Sequence, residues 1–163
     1  MASATNESGP TNADTVGLDV VHAEATARLQ EAGQRYTSGR RRLVEVLAAA
    51  ARPVRLPDIE ALAPDLARSS AYRNLEALER CGVVERLNAG GDHAYFELAE
   101  SLIGHHHHLI CEDCSEIADI ELDSALEHRL AGTLAAIADV AGYVPSHHSV
   151  DLYGRCSRCV AAG

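Results

Sequence analysis

The chain has 163 residues, 47% of them hydrophobic, and a formal net charge of −10. This is enough for one large or two small domains with real cores, and no apolar run is long enough to span a membrane. A uniformly acidic chain would repel nucleic acid, but residues 28–90 hold eleven arginines against eight acids, while 91–163 hold three against twelve. The basic part is therefore confined to the middle. Every basic residue is arginine, the better ligand for phosphates and base edges, which points to a nucleic-acid module joined to an acidic one.

Residues 1–19 are polar and aperiodic and read as a disordered tail, without the basic-then-apolar pattern of a secretion signal. A short amphipathic helix is expected from about Val20 to Ala32, ended by Gly33. Thr37 or Ser38 can cap a second helix reaching about Ala51, with Leu43, Val44, Val46 and Leu47 as its buried stripe and Arg40, Arg41 and Arg42 on its first turns. Pro53 and Pro57 bracket a turn into a third short helix around Asp58–Leu62, which Pro64 stops. In the next helix Ser69 is the expected cap and Leu75 and Leu78 face the core. Ser70, Tyr72, Arg73 and Asn74 can project outward, Cys81 is a small core residue, and Gly82 ends the helix. Val83–Leu87 and Ala94–Leu98 flank the 88–92 turn as a β-hairpin. The last three of these helices and the hairpin describe a winged helix-turn-helix, in a domain over residues 20–98, whose second motif helix enters the major groove. The Arg40–Arg42 cluster suits phosphates, and Tyr72 and Arg73 suit base edges or thymine methyls. An ordinary solvated helix face is the competing reading for Tyr72 and Arg73.

Residues 99–104 read as a hinge, and 105–163 as a mixed α/β module. The module opens on His105-His106-His107-His108-Leu109-Ile110-Cys111-Glu112-Asp113-Cys114. The apolar pair suggests that the histidines enter a strand. Alternation would then send His106 and His108 to one face and His105 and His107 to the other, giving two imidazole pairs and two candidate metal sites. A second C-x-x-C, Cys156 to Cys159, completes four thiolates with Cys111 and Cys114, the donor set of a closed structural zinc site. Paired disulfides are the alternative, and they belong to oxidising compartments. Between the pairs lie a strand over 116–122, a helix capped by Asp123 or Ser124 that runs to about Ala141 with Leu126, Leu130, Leu134 and Ile137 at helical spacing, and a last strand over 149–153.

The strings HHHHLICEDC, HHSVDLYGRCSRC and SSAYRNLEALERCGVVERL together resemble the ferric uptake regulator (Fur) family of metal-dependent repressors, over about residues 28–160. The resemblance implies an α+β protein: an N-terminal winged helix and a C-terminal α/β dimerisation domain with a four-cysteine structural zinc. It implies that Cys111, Cys114, Cys156 and Cys159 hold that zinc. It assigns His106, His108, Glu97 and Asp119 to a regulatory site, and His105, His107, Glu127 and His148 to a second site. Two positions depart from the family pattern. Where the family often has a regulatory histidine this chain has Pro53, so that His93, or else Glu85, would replace it. Ala99 stands where many zinc-sensing members have a cysteine, which favours an N/O site for Fe²⁺ or Mn²⁺, although zinc also accepts such ligands.

The implied function is a cytoplasmic, homodimeric, metal-responsive repressor that binds A/T-rich palindromic double-stranded DNA when a regulatory Fe²⁺, Zn²⁺ or Mn²⁺ is bound. Peroxide sensing within the same family is the nearer alternative, though its hinge carboxylate is typically Asp where this chain has Glu97. A zinc hydrolase built on the histidine cluster is the alternative of another class. It lacks an H-E-x-x-H arrangement and leaves the basic half without a role, so no enzyme activity is expected.

Overall fold

The computed structural model of the chain describes residues 17–88 and 94–163. They form two compact units, one ending at Gly104 and the other running from His105 to Gly163.

The first unit contains α1 (Leu18–Glu31), α2 (Ser38–Ala50), β1 (Val54–Arg55), α3 (Leu56–Leu62), α4 (Arg68–Arg80), β2 (Val84–Asn88), β3 (Ala94–Leu98) and α5 (Glu100–Ile103). Its antiparallel sheet has the order β1-β3-β2, with Val54 opposite Phe96 and Val84 opposite Leu98. The stripe of Leu43, Val44, Val46 and Leu47 on α2 packs with Leu29, Ile59, Leu75, Leu78, Val84 and Phe96 in one core. α3 and α4 form the helix-turn-helix, and β2 and β3 form the wing. Leu75 is 1% exposed at the centre of α4. Leu75→Ala is expected to cost about 2–5 kcal/mol through lost burial and a residual cavity. Chemical denaturation reads this directly, and a cost well under 1 kcal/mol would contradict the packing.

Several element ends differ from the sequence expectation for identifiable reasons. α3 starts two residues earlier, because Pro57 is tolerated in a first turn and the Asp58 carboxylate accepts the Arg55 backbone N–H at 3.0 Å. α4 begins at Arg68 behind Ala67, so Ser69 lies inside the helix and caps nothing. Gly82 has φ +65°, the left-handed conformation that ends helices and favours glycine. The 99–104 stretch is more than a linker. It carries α5, whose Leu102 and Ile103 are buried in the first unit's core, and Glu85 accepts the α5 Glu100 N–H at 3.3 Å.

The second unit contains β4 (His107–Cys111), β5 (Ile117–Ile120), α6 (Ser124–Val140), β6 (Asp151–Gly154) and α7 (Ser157–Ala161). β4 is central, antiparallel to β5 and parallel to β6. A parallel neighbour needs a long crossover, which α6 supplies. Asp123 caps α6 by accepting the backbone N–H groups of Ala125 (3.1 Å) and Leu126 (3.0 Å). The apolar stripe of α6 is only half covered within the chain. No α6 residue is fully buried, and Ile137 and Val140 are exposed, as are Tyr143, Val144, Leu152, Tyr153 and Val160 elsewhere in the unit. Among the described residues no helix is long and apolar enough to cross a membrane.

Candidate metal centres and nucleic-acid face

Cys111 ends β4, Cys114 lies in the following turn, Cys156 precedes α7 and Cys159 lies inside it. Their sulfurs all lie within 4.8 Å of one another. The Cys114 and Cys156 sulfurs are 3.8 Å apart, far beyond a disulfide bond. That separation matches the roughly 3.8 Å edge of a tetrahedron with about 2.3 Å Zn–S bonds. All four are free cysteines. Backbone N–H groups of Cys156 and Cys114 lower the Cys111 thiol to about 6, whereas hydrogen bonding with Cys156 pushes the Cys159 thiol up to about 12. Four thiolates so close ionise together only around a compensating cation, so the donor set fits a structural zinc.

Strand alternation divides the histidine run as expected. The His106 and His108 rings are 5.1 Å apart on one face. On the other, His105 lies 4.6 Å from His107 and 4.7 Å from His148, between ring centroids. Glu127, in the first turn of α6, reaches this second group. Its Oε1 lies 3.2 Å from His105 Nε2 and 2.9 Å from His148 Nε2, and its Oε2 lies 2.9 Å from His107 Nε2. The hydrogen bond from His107 holds the Glu127 carboxyl below the usual carboxylate range, with the nearby imidazoles adding to the effect. His105, His107, Glu127 and His148 thus converge, with ligand atoms all within 4.8 Å, as an N3O donor set suited to a borderline cation. The His106 and His108 ligand atoms meet that of Asp119 within the same distance. Glu97 is a buried residue of β3 in the first unit, only 4% exposed. Glu85 is engaged at the start of α5. His93 lies outside the described residues.

The candidate DNA-contact residues fall into two groups. Tyr72 and Arg73 are exposed on α4, and Arg41 is exposed on α2, 5.4 Å over the Tyr36 ring. Arg40 and Arg42 are tied down. Arg40 donates to the Arg35 carbonyl (2.6 Å) and to Gln34 (3.0 Å), while Arg42 pairs with Glu45 (3.6 Å) and Asp65 (3.7 Å). Ser70 and Asn74 are half-buried, and Asn74 sits where a Cβ on Gly39 would approach to 2.9 Å, marking a close α2–α4 contact.

One buried polar network escaped the sequence reading. His22 on α1 is buried, with Nδ1 2.7 Å from the Tyr36 hydroxyl and Nε2 3.9 Å from Glu45. The available signal was its place on the helical stripe with Ala25 and Leu29. Burial lowers the His22 pKa below 6.5, and Arg41 adds to the shift. The unfolded chain therefore takes up this proton first as pH falls, so His22's contribution is fully present above about 6.5 and lost below it. Wild type should lose stability relative to His22→Gln between pH 7 and 5.5, read as the difference in denaturation midpoint. An unchanged difference would contradict the buried neutral imidazole.

The model of the ferric uptake regulator family matches residues 31–153. The chain belongs to the ferric uptake regulator family. Among curated Fur-family relatives, it is 31% identical over 141 residues to the peroxide operon regulator of Bacillus subtilis, an alignment that covers 83% of this chain and 91% of that one. Among solved structures, the Fur of Vibrio cholerae is 28% identical with a TM-score of 0.63, over 80% of this chain and 98% of its own. The Pseudomonas aeruginosa Fur with manganese is also 28% identical, with a TM-score of 0.64 over 82% of this chain and 98% of its own.

Proposed function

We propose that this chain is a metal-responsive DNA-binding transcriptional repressor that acts as a homodimer in the cytoplasm. The observation that carries the reading is the division of one histidine run into two donor sets on opposite faces of β4, in a family member with a winged-helix unit. His106, His108 and Asp119 would hold the regulatory cation, with Glu97 assigned to them from the family motif, and His93 is the further candidate ligand. His105, His107, Glu127 and His148 would hold a second cation, and the four cysteines a structural zinc. A regulatory cation would supply positive charge that offsets the carboxylates of its ligand set. Those residues would thereby link cation binding to the spacing of two α4 helices in a dimer. Such coupling is typically about 1–3 kcal/mol. The all-N/O donor set suits Fe²⁺ or Zn²⁺, with Mn²⁺ possible. The exposed apolar residues of the second unit, Ile137, Val140, Leu152 and Tyr153 among them, support a surface covered by a second copy. No catalytic role is assigned to either histidine set.

The DNA half of the reading is tested by selecting binders from a random duplex pool with metal-loaded protein. Enrichment of an A/T-rich inverted repeat is expected, and absence of any symmetric site would overturn the reading. On the selected duplex, Arg73→Ala should weaken binding by about 1–3 kcal/mol and relax preference at one position of each half-site. Peroxide sensing is a second reading, favoured by the likeness to the Bacillus subtilis peroxide operon regulator. It requires the Fe²⁺-loaded protein to lose DNA binding on hydrogen peroxide treatment while the Mn²⁺-loaded protein keeps it.

A further inference from the structure

His108 sits at the middle of a row that crosses the second unit's sheet. It is opposite Asp119 of β5 on one side and Asp151 of β6 on the other. Residues directly opposite on neighbouring strands share a face, so one imidazole lies between two carboxylates. Each ring nitrogen addresses a different one. Nε2 is 4.0 Å from an Asp119 oxygen, and Nδ1 is 3.4 Å from an Asp151 oxygen.

The two contacts have different chemistry. Two ligands of a shared ion, each about 2.0–2.2 Å from it, lie roughly 3–4 Å apart, which is the relation of Nε2 to Asp119. Asp151 lies on the opposite side of the ring. An ionised carboxylate only accepts hydrogen bonds, so it favours the tautomer with the proton on Nδ1 and leaves the Nε2 lone pair on the Asp119 side. The residue just before β6 does the reverse to the neighbouring histidine: the Val150 N–H donates to His107 Nδ1 at 3.2 Å. A backbone N–H only donates, so with no cation in the second site the His107 proton belongs on Nε2, facing Glu127. Val150, just before β6, and Asp151, its first residue, thus favour opposite tautomers on consecutive histidines of β4 in the cation-free protein.

We propose that Asp151 is a positioning residue of the regulatory site, holding His108 in the Nδ1–H tautomer and making its Nε2 the metal-binding atom. This rests on the reading of His106, His108 and Asp119 as a cation site. Carboxylates that accept from the outer nitrogen of a ligating histidine typically contribute 10–100-fold in metal affinity. At 3.4 Å, with the Asp151 side chain 40% exposed, the contact is long and partly screened, so about tenfold is expected.

The test uses the full chain carrying only its cysteine-bound zinc. Long-range ¹H–¹⁵N correlation spectra should show His108 protonated on Nδ1, with that preference lost in Asp151→Ala. Chelator competition with Co²⁺ should show the regulatory site weakened about tenfold in Asp151→Ala and less in Asp151→Asn, which keeps an accepting oxygen. The Co²⁺ absorption spectrum should keep its shape, because no ligand is removed. The second site of His105, His107, Glu127 and His148 should bind as before. A His108 proton on Nε2 in the wild type would overturn the proposal without any variant. So would affinity within twofold of wild type in Asp151→Ala, or an altered Co²⁺ spectrum, which would make Asp151 itself a ligand. If the wild-type protein binds no Co²⁺ that is sensitive to His106→Ala/His108→Ala, the regulatory-site reading fails first, and Asp151 falls with it.

Discussion

Removing the cysteine-bound zinc, by a strong chelator or by Cys114→Ser, should unfold the second unit and dissolve the dimer. The second unit has little apolar core of its own: its buried hydrophobic residues are Ile110, Cys111 and Ile117, and α6 contributes none. Units of about this length rarely stand on a hydrophobic core alone and commonly need metals or oligomerisation. The tetrad ties the end of β4 and the turn after it to α7, that is, the start of the unit to its end. Structural zinc binds with roughly 10–16 kcal/mol of apparent free energy, which becomes folding free energy when no site exists in the unfolded chain. Loss of the ion should therefore cost more than the whole stability of a unit this small, and Cys114→Ser removes one of the four thiolates that hold it. The expected result is loss of the second unit's near-ultraviolet and helical signals, a monomer by sedimentation and no DNA binding. A separate cooperative transition should remain for the first unit, whose core is independent. A Cys114→Ser protein that stayed a folded dimer with undiminished zinc would contradict the structural role.

The second large effect is expected from His106→Ala/His108→Ala, and it is of the opposite kind. Both side chains are buried near the start of β4, but the register of that strand is held by backbone pairing to β5 and β6, which the substitutions leave in place. The variant should remain a folded, zinc-containing dimer. It should lose the metal-dependent part of DNA affinity, about 5–150-fold for a coupling of ~1–3 kcal/mol. Salt-dependent background binding through arginine–phosphate contacts should persist. Unfolding of the variant would mean that these histidines are structural. Unchanged metal dependence would move the regulatory site elsewhere.

Much of this was legible in the sequence because the relevant signals are local. Two C-x-x-C pairs, the alternation of four histidines along a strand and the stripe of Leu43, Val44, Val46 and Leu47 each follow from the spacing of neighbours. What was missed depends on tertiary pairing. Asp151 becomes interesting only when β6 lies parallel to β4 and in register with His108. Leu102 and Ile103 occur in a segment too short to show periodicity, so their burial in the first core left no pattern. The stripe Leu126, Leu130, Leu134 and Ile137 was correctly amphipathic. A stripe, however, does not say whether its cover comes from the same chain, and here the covering is incomplete. The Arg40–Arg42 run looked like one phosphate-binding cluster. The fold assigns Arg40 to the 34–35 backbone and side chain and Arg42 to acidic partners, leaving Arg41 exposed.

Metal-controlled repression is tested most directly by fluorescence anisotropy on the selected palindromic duplex. Protein holding only its cysteine-bound zinc is titrated with Fe²⁺ under anaerobic conditions, and separately with Mn²⁺ and Zn²⁺. DNA affinity is expected to rise by about 5-fold or more with at least one of these cations, and His106→Ala/His108→Ala to abolish the rise. Equal DNA affinity with and without every cation would contradict metal-controlled repression.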